Sequence, residues 1–209
     1  DFNDIKSYKT KKLINTLKKL TDEQINTIVD SSVIEFISNL NDNIINSIFR
    51  NSNAIMQNKL WSNDKIQKIL ILGTLNLNNV DKSKSSSPVS NNNNGTINIT
   101  GGSYHKYISN SSGNLNINDA TINTSDNGLS NSQSGVVTIN NSTITSNSTG
   151  ISNSKGTINL INSIVSSKYY SISNHSTGSI NVTGESNITS TEKYGIYNDS
   201  TGTVNIGEK

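Results

Sequence analysis

The sequence predicts a mainly β chain: a right-handed parallel β-helix of about 21–22 residues per coil behind an N-terminal α-helical cap or small helical domain. Three observations carry that prediction. A phrase of the form Gly-x-aliphatic-x-aliphatic opens at Gly73, Gly95, Gly113, Gly135, Gly156, Gly178 and Gly202, at spacings of 22, 18, 22, 21, 22 and 24 residues. Inside each phrase the aliphatics alternate with polar residues, as in Ile97/Ile99, Leu115/Ile117, Val137/Ile139, Ile158/Leu160 and Ile180/Val182, so one face is buried and one is wet. Residues 1–72 lack the phrase and carry apolar residues at helical spacing instead.

The helical part comes first. Leu13, Ile14, Leu17 and Leu20 make one stripe, and Thr21-Asp22-Glu23-Gln24 is a capping box with Thr21 at the N-cap and Gln24 at N3. Ile25, Ile28, Val29, Val33, Phe36, Ile37 and Leu40 continue at helical spacing, and Ile44, Ile45, Ile48 and Phe49 begin a third helix. Ser62 is placed to cap a fourth, with Ile66, Ile69 and Leu70 inward. Four short helices then run into the array with almost no linker. They are read as a cap over the first coil, whose outer strands expose unpaired backbone. The other reading is an independent helical domain with its own partner.

Each period of the array, residues 73–209, carries three strand-like islands. The anchor phrase is the first. The second holds one apolar residue among polar ones: Ile122, Ile144, Ile164 and Ile188. The third reads Gly128-Leu129-Ser130-Asn131, Gly150-Ile151-Ser152-Asn153, Ser171-Ile172-Ser173-Asn174 and Gly195-Ile196-Tyr197-Asn198, and Pro88-Val89-Ser90-Asn91 fits the same slot. One period buries too little alone, but stacked periods share a continuous core. Left-handed β-helices repeat on hexapeptides with little variation; the unequal coils here favour the right-handed form. In the short coil from Gly95, Tyr104 falls in the second-island slot. Asn91, Asn110, Asn131, Asn153, Asn174 and Asn198 each follow the inward aliphatic by two, so alternation points them the same way and their amides are expected to bond coil to coil as a ladder. Outward positions of the first island are Thr and Asn in most coils, and Val136 breaks that pattern. The phrase opened at Gly202 has its first island only, which predicts an array cut short at its C-terminal end and open there to end-to-end self-association.

Composition bounds the function. Hydrophobic residues are 31% of the chain, low for a globular protein, yet the net charge is only +2 and the aliphatics are placed rather than scattered. No Cys is present, so disulfides and thiolate metal sites are excluded, and His105 and His175 have no metal-ligand spacing; no metal and no cofactor is expected. No apolar run is long enough to span a membrane. Residues 73–209 carry seven Lys against seven Asp and Glu, which argues against nucleic acid as a partner. The Lys-rich start (Lys6, Lys9, Lys11, Lys12, Lys18, Lys19) reads as a solvated helix face.

Asn makes up 37 of the 209 residues. With the phrases YGIYN at Tyr194–Asn198 and GTVNIG at Gly202–Gly207, residues 73–209 resemble repeats of large secreted or wall-anchored, adhesin-like proteins of low-GC Gram-positive bacteria, of the pectin-lyase-like β-helix class. The resemblance implies a secreted or cell-surface location and a structural, adhesive role. Many members of that class cleave acidic polysaccharides with clustered carboxylates and a basic residue. Here the single Arg is Arg50, in the helical part, and Asp119 and Glu185 share a turn slot three coils apart, farther than a glycosidase pair needs. The expectation is no catalysis.

A binding face is the better reading. Lys106-Tyr107, Lys168-Tyr169-Tyr170 and Lys193-Tyr194 all stand just before third islands, with Tyr104 and Tyr197 close by. Stacked coils would set them along one edge, where aromatic rings beside polar donors suit a glycan or a protein surface. A polysaccharide-active enzyme, a phage tail or appendage fibre and, more remotely, an ice-binding array share parts of this pattern.

Overall fold

Short polar turns separate each run of alternating aliphatics, so the chain folds as strands joined by tight corners. The computed structural model describes residues 11–67, 74–82, 88–91, 94–199 and 201–207. Lys6 and Lys9 of the Lys-rich start, Ile69, Leu70, Gly73 and Glu208 lie outside them.

The strands stack into a parallel β-solenoid of three sheets and about six turns. The first sheet holds Thr74–Asn78, Thr96–Thr100, Asn114–Asn118, Val136–Asn140, Thr157–Ile161, Ser179–Thr183 and Thr203–Ile206, each paired in parallel with the next in that order. Its register follows the anchor phrases: Ile97 pairs with Leu115, and Ile99 with Ile117. Both columns of inward aliphatics are buried from Leu75 and Leu77 to Ile180 and Val182. The second sheet runs from Asp81–Lys82 to Asn187–Ser190 and the third from Val89–Asn91 to Tyr194–Asn198, one strand of each per coil.

The corner after each of the first six strands of the first sheet has a fixed chemistry. Asn79, Gly101, Asp119, Asn141, Asn162 and Gly184 all adopt positive φ, between 47° and 66°, a region that Gly, Asn and Asp enter at least cost. Gly101 and Gly184 are needed for a second reason: a Cβ there would collide with the amide oxygens of Asn79 and Asn162 in the coil before. The turn slot of Asp119 is therefore held by Gly184, and Glu185 is an extra residue of a longer coil, not the equivalent of Asp119. Beside this corner, hydroxyls close the backbone: Ser142 Oγ accepts from Ala120 N–H at 3.1 Å, Ser163 Oγ from Ser142 N–H at 3.1 Å and Ser186 Oγ from Ser163 N–H at 3.2 Å.

One second-island assignment is corrected. Val165, in register with Ile144 and Ile188, faces the core, while Ile164 pairs with Thr143 and is 45% exposed. Two adjacent aliphatics satisfy either phase, and the pairing register chose between them.

The helical region contains α1 (11–17), α2 (Asp22–Ile28), α3 (Ser31–Ser38), α4 (Asp42–Asn51), α5 (Ala54–Trp61) and α6 (Asp64–Gln67). The Thr21/Gln24 capping box forms as the sequence indicates, with Gln24 N–H to Thr21 Oγ1 at 3.3 Å and Thr21 N–H to Gln24 Oε1 at 2.9 Å. The long periodic run does not make one helix. Asp30 accepts from the N–H groups of Ser32 and Val33 and starts α3 afresh, which leaves Ile28 and Phe36 exposed rather than inward. Ser62 does not open a helix either. It ends α5, whose N-cap is Asn53.

The two regions meet at α5. Gln57 Oε1 accepts from Asn76 N–H at 3.0 Å, and its Nε2 donates to Phe49 C=O at 2.7 Å. Asn58 accepts from Asn78 N–H at 2.9 Å and donates to Asn78 C=O at 2.5 Å. Two side-chain amides thus stand in for the missing strand at the outer edge of Thr74–Asn78, and a single apolar core runs from α2 to the last coils.

Candidate binding face

The asparagines of the third sheet are scaffold for this face. Nδ2 of Asn91, Asn110, Asn131, Asn153 and Asn174 donates to Oδ1 of the next Asn, ending on Asn198, at 2.8–3.0 Å. The second Nδ2 proton goes to the C=O of the anchor glycine that follows, Gly135 from Asn131 and Gly156 from Asn153, both at 2.9 Å. This contact explains the anchor glycines: a Cβ at Gly135, Gly156 or Gly178 would collide with ladder amides. On the outside, Asn98 donates to Asn76, Asn116 to Asn98, Asn181 to Asn159 and Asn205 to Asn181 at 2.8–2.9 Å, with Thr138 interrupting the column.

With coil spacing set by strand pairing, the structure divides the nine predicted ligand-binding residues. Tyr104 leaves the set. It is 1% exposed and fills the second-sheet slot beside Ile122, because its short coil has no aliphatic there. Burial raises its phenol pKa, and its hydroxyl has no hydrogen-bond partner among the described residues. Tyr107 is on the surface with Lys106 beside it, but it precedes the strand Ile108–Asn110, three strand steps from Tyr170–Asn174 and so about 14 Å away. The edge is therefore not continuous.

The other six residues come together in the last two coils. Tyr170 and Tyr194 are register partners at the starts of their strands, and Tyr197 projects from the second of them. The ring centroids of Tyr170, Tyr194 and Tyr197 are 5.0, 6.0 and 6.2 Å apart, with planes 16–35° from one another. A triangle of that shape is no single column, so the rings shingle into a patch on the outer face. Lys193 Nζ donates to Tyr170 Oη at 3.2 Å and lies 5.0 Å from the Tyr170 ring and 5.5 Å from that of Tyr169. Lys168 Nζ lies 5.2 Å from the Tyr169 ring and 3.4 Å from Glu192. Both ammonium groups are held above their ordinary pKa, Lys193 first by the Tyr170 hydroxyl and Lys168 first by the Tyr169 hydroxyl and then by Glu192.

A contact that sequence reasoning missed borders the patch. Ser173 Oγ and His175 Nε2 are 2.7 Å apart, His175 Nδ1 and Asp199 Oδ2 are 2.7 Å apart, and the His175 ring meets Tyr197 edge-on at 6.4 Å. The order is that of a Ser–His–Asp relay. Ser173, however, is 4% exposed and has Tyr197 as its register partner, so its hydroxyl is shielded from a reacting carbon. The line ties the strand Tyr170–Asn174 to the turn after Asn198 and fixes one side of Tyr197. Only the spacing of Ser173 and His175 by two hinted at it. Among the described residues no group of three His, Cys, Asp or Glu could hold a metal ion. No described helix is long and apolar enough to cross a membrane.

Comparison with protein-family models, with curated proteins and with solved structures finds no match to this chain.

Proposed function

We propose that this chain is a stiff scaffold that presents a glycan- or protein-binding face without turnover, as part of the repeat region of a secreted or cell-surface bacterial protein. The likeness to adhesin-like β-helix repeats of low-GC Gram-positive bacteria belongs to the same proposal. The observation that carries it is the patch of Tyr170, Tyr194 and Tyr197, flanked by Lys193 and Tyr169. Surface rings with hydroxyls at their edges offer apolar contact and hydrogen bonds together. The patch is shallow, so one contact is weak; useful strength comes from many copies on one surface.

Pairing of a further coil or a second copy would use the outer edges of Asn187–Ser190, Tyr194–Asn198 and Thr203–Ile206. Head-to-tail stacking of two copies would first have to displace Gln57 and Asn58 from the other end.

The test is attachment of a bead-displayed protein to glycan arrays and to cells, for the wild type and the triple variant Tyr170→Ala, Tyr194→Ala, Tyr197→Ala. The triple variant should lose attachment at least about tenfold by losing multivalent contact. Equal attachment overturns the face, and release of reducing ends from a polysaccharide moves the protein to the enzymes.

A further inference from the structure

We infer that the binding face continues into a polar groove at the corner between the second and third sheets, and that the groove takes a linear neutral oligosaccharide. The inference rests on the proposed glycan-binding reading and gives it a site and a ligand class.

The groove has a volume of about 310 Å³. It crosses three coils: Thr145 and Asn147 come from one, Ser166 and Lys168 from the next, and Thr191 and Glu192 from the third. Its floor is the buried hydroxyls of Ser146 and Ser167, both already hydrogen-bonded. Two strand steps make it about 10 Å long parallel to the solenoid axis. Tyr169 stands at its rim, since the Lys168 ammonium that lines the groove lies over the Tyr169 ring. Beyond Tyr169, Lys193 links to Tyr170 and so to the aromatic patch.

Three features select the ligand. Thr145, Asn147 and Ser166 line the groove, and their side chains make no hydrogen bond to another described residue. They are hydroxyls and an amide, which both donate and accept, as the hydroxyls of a sugar do. The two charges in the wall, Lys168 and Glu192, already face each other at 3.4 Å, so the groove has no charge left to pair with an ionic ligand. An apolar ligand would strip water from the three unpartnered groups without replacing it. The rings next to the groove, in turn, need an apolar surface. A pyranose chain carries both kinds of surface on successive residues: hydroxyls for the groove, C–H faces for the tyrosines.

The experiment measures binding of neutral hexasaccharides and disaccharides, β-1,4-linked glucose and β-1,4-linked N-acetylglucosamine, by titration calorimetry. A hexauronate is the charged control. The wild type is compared with Thr145→Val/Asn147→Ala/Ser166→Ala, which spares the ion pair and every ring, and with the tyrosine triple variant; thermal melts verify that each is folded. The wild type should bind a neutral hexasaccharide at least about tenfold more tightly than its disaccharide, and the groove variant should lose that difference. Undiminished hexasaccharide affinity in the groove variant overturns the groove; if the tyrosine variant loses affinity in the same series, the face survives alone. Preference for the hexauronate overturns the neutral assignment. No binding of any neutral hexasaccharide by the wild type overturns the inference, and cell attachment then decides the broader proposal separately.

Discussion

The helical region and the solenoid both have to close backbone and side-chain polar groups, and they do it in opposite ways. In the solenoid one solution is copied: an Asn amide bonds the next Asn and the carbonyl of the anchor glycine that follows it, five times over. In the helical region four N-termini are each closed by a local cap of their own: Thr21 for α2, Asp30 for α3, Asn41 for α4 and Asn53 for α5. Lys59 adds another, donating to the C-terminal carbonyls of Asn26 and Val29 at 3.3 and 2.9 Å. A copied device shares its fault with neighbours on both sides, while a unique cap fails alone. Where the regions join, Gln57 and Asn58 of a helix do the work of a strand.

The largest effect should come from breaking the copied device. Asn153→Leu leaves Asn131 without its acceptor and Asn174 without its donor, which should cost about 4 kcal/mol at about 2 kcal/mol per stranded buried group. Chemical denaturation measures this, and an unchanged midpoint would remove the ladder from the account of stability.

The junction should be next. Gln57→Leu strands Asn76 N–H, while Phe49 C=O keeps the Ser52 N–H, for about 2 kcal/mol. Hydrogen exchange at Asn76 should quicken as the first coil frays. If the first-sheet amides keep their protection while the helices melt earlier, the helical region is an independent unit and not a cap.

Tyr104→Phe goes the other way. Removing a buried hydroxyl with no partner among the described residues should stabilise the chain by about 1 kcal/mol, seen as a higher melting temperature. A loss of stability would mean that the hydroxyl is bonded after all.

The smallest effect is confined to α3. The Asp30 carboxyl is held below its ordinary pKa, first by the Ser32 hydroxyl and then by Val33 N–H. A lowered folded value means the contribution is complete above the unfolded pKa and is lost as pH falls through the folded one. Helical circular dichroism should therefore decline as pH falls through and below the ordinary carboxylate range, and Asp30→Asn, which keeps the cap, should flatten that part of the curve. An identical acid profile in the variant would assign the decline to other groups.

Much of this was legible in the residues, unevenly. The first sheet was, because strict alternation leaves only one phase that buries both aliphatics. Ile164 and Val165 defeated the same rule by being adjacent. The helical run from Ile25 to Leu40 kept its period across Asp30, so periodicity could not show that a new helix begins there. The Ser62 hydroxyl donates to Lys59 C=O at 2.6 Å, closing the helix behind it where the sequence placed one ahead.

By itself the sequence determined the coil period, the inward columns and the slot of each ladder Asn, because those are local patterns repeated until chance is excluded. Tertiary structure decided what depends on which coils are neighbours. It chose between two readings of Tyr104, putting the ring in the second-island slot of the short coil and not on the binding edge. It separated Tyr107 from Tyr170 by three strand steps while bringing Tyr194 and Tyr197 onto Tyr170. It set His175 against Asp199, 24 residues on, and it turned Gln57 and Asn58 toward a strand edge. Contacts like these are fixed by stacking, and a side chain's own neighbours in the chain carry no record of the coil above it.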